Sequence, residues 1–152
     1  MAEDQYFKIA KPGATISDTI SNTLYFIHNL LSGITNIIMQ ISHMDTKSGK
    51  SEKIKKELKW FVQLMNEINI KVVICGPVPY NRMSNEAFSR AYNLNMWLLR
   101  QVRHGPESFS LVDCFDLMWG NKDAFIESRN KLSNYGHWLI ESIIAVHITG
   151  LD

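Results

Sequence analysis

The chain has 152 residues, 45% of them apolar and 20% charged, which excludes a disordered protein and suits one domain with a buried core. Its formal charge of +1 excludes a strong general attraction to nucleic acid or anionic lipid, so either would need a local patch. The acidic, polar start MAEDQYFK has no secretory character, no run of about 18 apolar residues marks a membrane span, and Cys75 and Cys114 make neither a disulfide framework nor a zinc cluster.

These features predict a single domain over 1–152, cytoplasmic or nuclear and not secreted, with two buried, reduced thiols. In chain order, Tyr6 to Ala10 suits a short strand stopped by Lys11-Pro12-Gly13. Ser17 or Asp18 can cap a helix whose Ile20, Leu24, Ile27, Leu30 and Leu31 share a face, closed by Gly33. Ile34 to Ile41 is β-branched and largely apolar, the pattern of a buried strand. A polar loop then leads into a helix with Ile54, Leu58, Phe61, Val62, Met65 and Ile68 on one face and lysines on the other. Ile70 to Cys75 is a second buried strand, ended by Gly76-Pro77-Val78-Pro79.

Ser84 starts a third helix, with Glu86 in the first turn where a carboxylate suits the helix dipole. Its apolar face is predicted to be Phe88, Tyr92, Asn95, Met96 and Leu99, and it ends before Gly105-Pro106. Phe109 to Val112 is a further strand, and a last helix runs from about Ser133 to His147. Strands alternating with helices predict an α/β fold, a mainly parallel sheet covered by helices on both faces. Ligands in such sheets bind beyond the carboxyl ends of the strands. Those ends are Lys11 to Ala14, Ser42 to Thr46, Gly76 to Asn81 and Asp113 to Asp116.

Taken together, Pro12-Gly13-Ala14, the run Ile41 to Thr46, Ile74-Cys75-Gly76-Pro77-Val78-Pro79, Phe88-Ser89-Arg90 with Asn95 to Leu98, Val112-Asp113, and Asn134-Tyr135-Gly136-His137-Trp138-Leu139 resemble the SGNH (GDSL-type) hydrolases. The resemblance is strongest to the esterase-like domains in first-reading-frame proteins of vertebrate non-LTR retrotransposons, and it spans about Phe7 to Ile144. It implies a three-layer, flavodoxin-like sandwich and carboxylic ester hydrolysis. In that family a serine in a Gly-Asp-Ser turn attacks, an Asp-x-x-His pair activates it, and a glycine amide and an asparagine hold the oxyanion.

This chain departs from that pattern at nearly every chemical position. The family's first strand and its Gly-Asp-Ser turn would precede Tyr6, where the sequence leaves no room for them. Gly13 matches the glycine donor, and Asp45 matches the aspartate of the family's Gly-x-Asn-Asp block. Ser42 stands at that block's glycine, His43 follows it, and Met44 replaces the asparagine. Aligned on Gly136, Ser128 replaces the catalytic aspartate and Lys131 the histidine. A thioether cannot donate to an oxyanion, and a protonated lysine is a poor base. The expectation is a pseudo-esterase with no catalytic residue, no cofactor and no metal, acting by binding.

Two alternatives stand beside it: an esterase remodelled around Ser42 or Ser128, and an RNA-associated module inherited from a retrotransposon. Lys53, Lys55 and Lys56 are the candidate phosphate contacts, interleaved with Glu52 and Glu57. Trp60, Trp97, Trp119 and Trp138 are read as packing residues rather than base platforms. A missing first strand would bare a sheet edge beside Ile37 and Ile41, which favours a homodimer.

Overall fold

The structure, a computed structural model, describes residues 15–30, 33–42, 45–47, 49–79, 83–126 and 132–149. The strand expected at Tyr6 to Ala10 lies outside them. The first helix, α1, spans Ile16–Leu30. Its cap is Thr15, two or three residues earlier than the Ser17 or Asp18 the sequence suggested. The Thr15 hydroxyl accepts from the Asp18 backbone N–H at 3.2 Å, and the Asp18 carboxylate accepts from the Thr15 N–H at 3.1 Å. Asp18 is therefore the reciprocal partner in a capping box and not the cap itself.

The first strand, β1, spans Asn36–Gln40, shorter at both ends than expected. Helix α2 covers Ser51–Glu67 and buries Ile54, Leu58, Phe61, Val62 and Met65, while Ile68 falls past its end and is exposed. Strand β2 is Lys71–Cys75, helix α3 is Asn85–His104, and strand β3 is Phe109–Val112. The Ser84 hydroxyl caps α3 by accepting from the Ala87 N–H at 3.1 Å, as the sequence indicated. A short helix the sequence reading missed, α4, follows at Cys114–Met118, and then a single 3-10 turn at Lys122–Ala124. The last helix, α5, spans Asn134–Thr149.

The described sheet has the order β1-β2-β3, parallel throughout, with Ile37 opposite Val72 and Cys75 opposite Val112. Successive side chains on a strand point to opposite faces, so the sheet feeds two cores. Ile37, Met39, Val72, Ile74 and Phe109 pack under α1, α2 and α3. Val73, Cys75 and Val112 pack under α4 and α5, with Met118 and Ile140. This is the expected three-layer α/β arrangement.

Two readings need correction. The inward face of α3 is Ala87, Ala91, Leu94 and Leu98, with Asn95 beside them, while Tyr92 and Leu99 are exposed. The helix carries two apolar arcs, and the sequence pattern picked out the bulkier one, which the small alanines do not match in hydrophobicity but beat in fit. Of the tryptophans, only Trp97 packs against the core; Trp60, Trp119 and Trp138 are more than half exposed.

Candidate functional site

Parallel strands end together, so three loops converge at the carboxyl edge of the sheet. After β1 the ladder continues for one residue, the Ile41 N–H donating to the Cys75 carbonyl at 3.0 Å. The chain then turns, and the Asp45 N–H donates to the Ser42 carbonyl at 3.0 Å. This folds the Asp45 side chain back into the protein, where it is 1% exposed. One carboxylate oxygen accepts from the Ile16 N–H at 2.8 Å, the other from the Ser42 N–H at 2.9 Å. The Ser42 hydroxyl donates to the same carboxylate.

Asp45 thus supplies from a distance what the first turn of α1 lacks, an acceptor for an orphan backbone donor and a negative charge at the positive end of the helix. Burial raises its pKa above the ordinary 3.8, the Ile16 and Ser42 amides and the Ser42 hydroxyl pull it down, and the nearby Asp18 charge adds a smaller upward push. Arg90 of α3 ties this loop to the next layer, its Nε donating to the Thr46 carbonyl at 2.7 Å.

After β2 comes Gly76, whose N–H donates to the Val112 carbonyl at 2.9 Å. A Cβ at Gly76 would lie 2.6 Å from the Oδ1 of Asn95, so a glycine is needed there for close approach. Asn95 is 4% exposed; its Nδ2 donates to an Asp113 oxygen at 3.0 Å, and its Oδ1, against Gly76, has no hydrogen-bond partner. The same Asp113 oxygen accepts from the Asp116 N–H at 3.1 Å and so caps α4. Beneath this edge Cys75 and Cys114, both fully buried, hydrogen-bond to each other. That bond, together with burial, pushes the Cys75 thiol far above its usual range.

Of the seven positions singled out from the family pattern, Ser42 and Asp45 are described and are in contact. Gly13, His43, Met44, Ser128 and Lys131 lie outside the described residues. Among the candidate phosphate contacts, Lys53 pairs with Glu57 at 3.7 Å and Lys55 with Glu52 at 3.3 Å, while Lys56 is exposed. Lys55 and Lys59 also sit over the Trp97 ring, 5.8 and 5.9 Å from its centre. Sequence reasoning missed Asn95, Asp113 and Arg90 as the ties between α3 and the strand ends. A polar residue in the middle of an otherwise apolar helical face was the available signal for Asn95.

A second polar feature lies at the opposite edge. The Nε2 of His147, near the end of α5, is 2.9 Å from the Ser110 hydroxyl on β3. Ser110 also lines a cleft of about 360 Å³ with Lys71, Glu107 and Ser108. Among the described residues, no group of three His, Cys, Asp or Glu side chains is placed to hold a metal ion. Nor is any described helix long and apolar enough to cross a membrane.

No family model and no curated protein matches the chain. A solved structure does: the esterase domain of the ZfL2-1 ORF1 protein from the zebrafish ZfL2-1 retrotransposon, with a TM-score of 0.58 over 91% of this chain and 85% of that one. The chain has the fold of that esterase domain. Sequence identity is 24%, so the likeness carries the architecture and the strand order, not the reaction. It agrees with the resemblance read from the sequence, and the carboxyl edge built by Asp45, Gly76, Asn95 and Asp113 is where such a fold presents its loops.

Proposed function

We propose that this chain is an SGNH-like, pseudo-esterase domain that does not hydrolyse esters at the carboxyl edge of its sheet and works by binding. The carrying observation is the state of Ser42. Its hydroxyl and its N–H are both given to the Asp45 carboxylate, which is itself buried and bonded to the start of α1. A serine hydroxyl becomes a useful nucleophile when an imidazole takes its proton; a carboxylate, even one whose pKa burial raises, is a weak base for it, and this one is occupied by two backbone amides. The sequence adds Met44, Ser128 and Lys131 where an asparagine, an aspartate and a histidine would be needed.

The buried Asp45 and the Asp113 carboxylates have structural tasks. Asp45 clamps α1 to the loop after β1, and Asp113 joins Asn95 to the cap of α4. A scaffold kept in this detail is compatible with a partner-binding role. The lysine face of α2 gives the RNA reading little support, because Lys53 and Lys55 are paired within the helix and Lys55 also rests on Trp97.

One contact favours a second reading, a hydrolase relocated to Ser110 and His147. Against it, Ser110 sits inside a parallel ladder opposite Val73, within a strand and not at a turn or helix start where neighbouring backbone amides converge on an oxyanion. Its simpler role is to pin the last turn of α5 to the sheet. A fluorophosphonate probe separates the readings. The binding domain leaves all serines unlabelled and does not turn over short-chain p-nitrophenyl esters. Labelling at Ser42 or Ser128, lost in the matching alanine variant, would refute the proposal. Labelling at Ser110, lost in His147→Ala, would establish the relocated site instead.

A further inference from the structure

Helix α3 is apolar on two sides, and only one of them is used. Ala87, Ala91, Leu94 and Leu98 face the core. Phe88, Tyr92, Met96 and Leu99 fall within an arc of roughly 80° on the neighbouring side, and of these Tyr92 and Leu99 are 45% and 37% exposed. The stripe continues onto α4. Trp119, 54% exposed, packs its ring 4.6 Å from that of Phe88, and Phe115 buttresses both, 5.4 Å from Phe88 and parallel to Trp119. The aromatic end is rigidly held, because Phe88 touches three other rings.

The charges beside this stripe are distributed along its length. Glu86 is exposed at the first turn of α3, and Arg100 and Arg103 are exposed in its last turns. Glu86 and Arg100 also lie on the same flank of the stripe, given the helical repeat of roughly 100° per residue. Two copies of α3 packed antiparallel about a two-fold axis bring like flanks together. The register that sets Phe88 against Leu99 of a second copy, and Tyr92 against its Met96, also sets Glu86 beside its Arg100. Symmetry repeats each pairing at the other end. The surface is complementary to itself in both hydrophobic pattern and charge.

We infer that the exposed face of α3, extended by Trp119, is the docking surface for a second copy of this chain in a two-fold antiparallel dimer. Helix α3 is about 30 Å long, enough for a contact near the small end of specific interfaces. With only Tyr92, Leu99 and Trp119 substantially exposed, the association belongs in the micromolar range rather than the nanomolar.

Sedimentation velocity on the full chain, from about 5 to 500 μM, tests this. The expected result is a concentration-dependent shift from monomer to dimer, weakened at least tenfold by Leu99→Glu. Since Leu99 is on the surface, far-UV circular dichroism and the melting temperature should be unaltered in that variant. Glu86→Arg and Arg100→Glu should each weaken the dimer several-fold, and the two together should restore it, as the pairing of Glu86 with Arg100 across the two-fold requires. A monomer throughout the range would overturn the inference. So would a dimer indifferent to Leu99→Glu, as expected of pairing through the β1 edge.

Discussion

Asp45 is the residue whose loss the fold should feel most clearly. In Asp45→Ala the Ile16 N–H, on a fully buried residue, loses its acceptor, and the Ser42 N–H, on a half-buried one, loses its own. An unsatisfied buried donor costs about 1–3 kcal/mol, the lower figure applying where water can reach it. Removing a buried carboxylate returns part of that cost, because burial already disfavours its charged form. The net expectation is a loss of about 2–3 kcal/mol. With an m-value of roughly 1–3 kcal/mol/M in urea, the unfolding midpoint at neutral pH should fall by about 1–2 M with the slope unchanged.

Asp45→Asn is the sharper variant, since it keeps the shape and one acceptor but turns an N–H₂ toward a backbone donor. Its difference from the native protein should also depend on pH in a defined direction. The folded pKa of Asp45 lies above its ordinary 3.8, so the stabilisation it contributes is fully present below that value and declines as pH rises through the folded pKa. The native protein's advantage over the asparagine variant is therefore greatest in acid and narrows toward neutrality. Urea titrations at pH 3.5, 5 and 7, followed by far-UV circular dichroism, would read both effects. An Asp45→Ala midpoint within about 0.2 M of native would refute the clamp, given the slope above. A native advantage that widens with pH would refute the reasoning about burial.

Gly76→Ala should destabilise the fold by about 1–3 kcal/mol, because its Cβ would meet the Asn95 Oδ1 at 2.6 Å and force that side chain off Asp113. In an Asn95→Ala background most of that cost should vanish; additive costs in the double-mutant cycle would show that the strain lies elsewhere. Cys75 and Cys114, fully buried and hydrogen-bonded to each other, should not react with a thiol-specific disulfide reagent in native buffer and should both react in denaturant. Reaction at the native rate of a free thiol would contradict their placement.

Much of the architecture was legible in the chain itself. Ile70 to Cys75 and Phe109 to Val112 announced their strands because a strand buried on both faces is mostly apolar, and each run carries a single polar residue, Lys71 or Ser110. Ser84 announced the start of α3 because a hydroxyl is the group that satisfies an orphan helical N–H. The residue types at Ser42, Met44, Ser128 and Lys131 were likewise plain, since identity is what a sequence states. The fold likeness to the zebrafish esterase domain follows from the same alternation of strands and helices.

What only tertiary structure decided is which groups meet. No local pattern says that Asp45 reaches back 29 residues to Ile16, or that Asn95 lies over Gly76, because those contacts come from parallel strands ending side by side. Nor could periodicity choose between the two apolar arcs of α3. Burial went to Ala87, Ala91, Leu94 and Leu98 because close packing against the sheet rewards small side chains at the tightest points, leaving the larger rings of Tyr92 and Trp119 at the surface. The sequence determined the elements; the packing of three layers determined the clamp, the glycine contact and which face of α3 stays exposed.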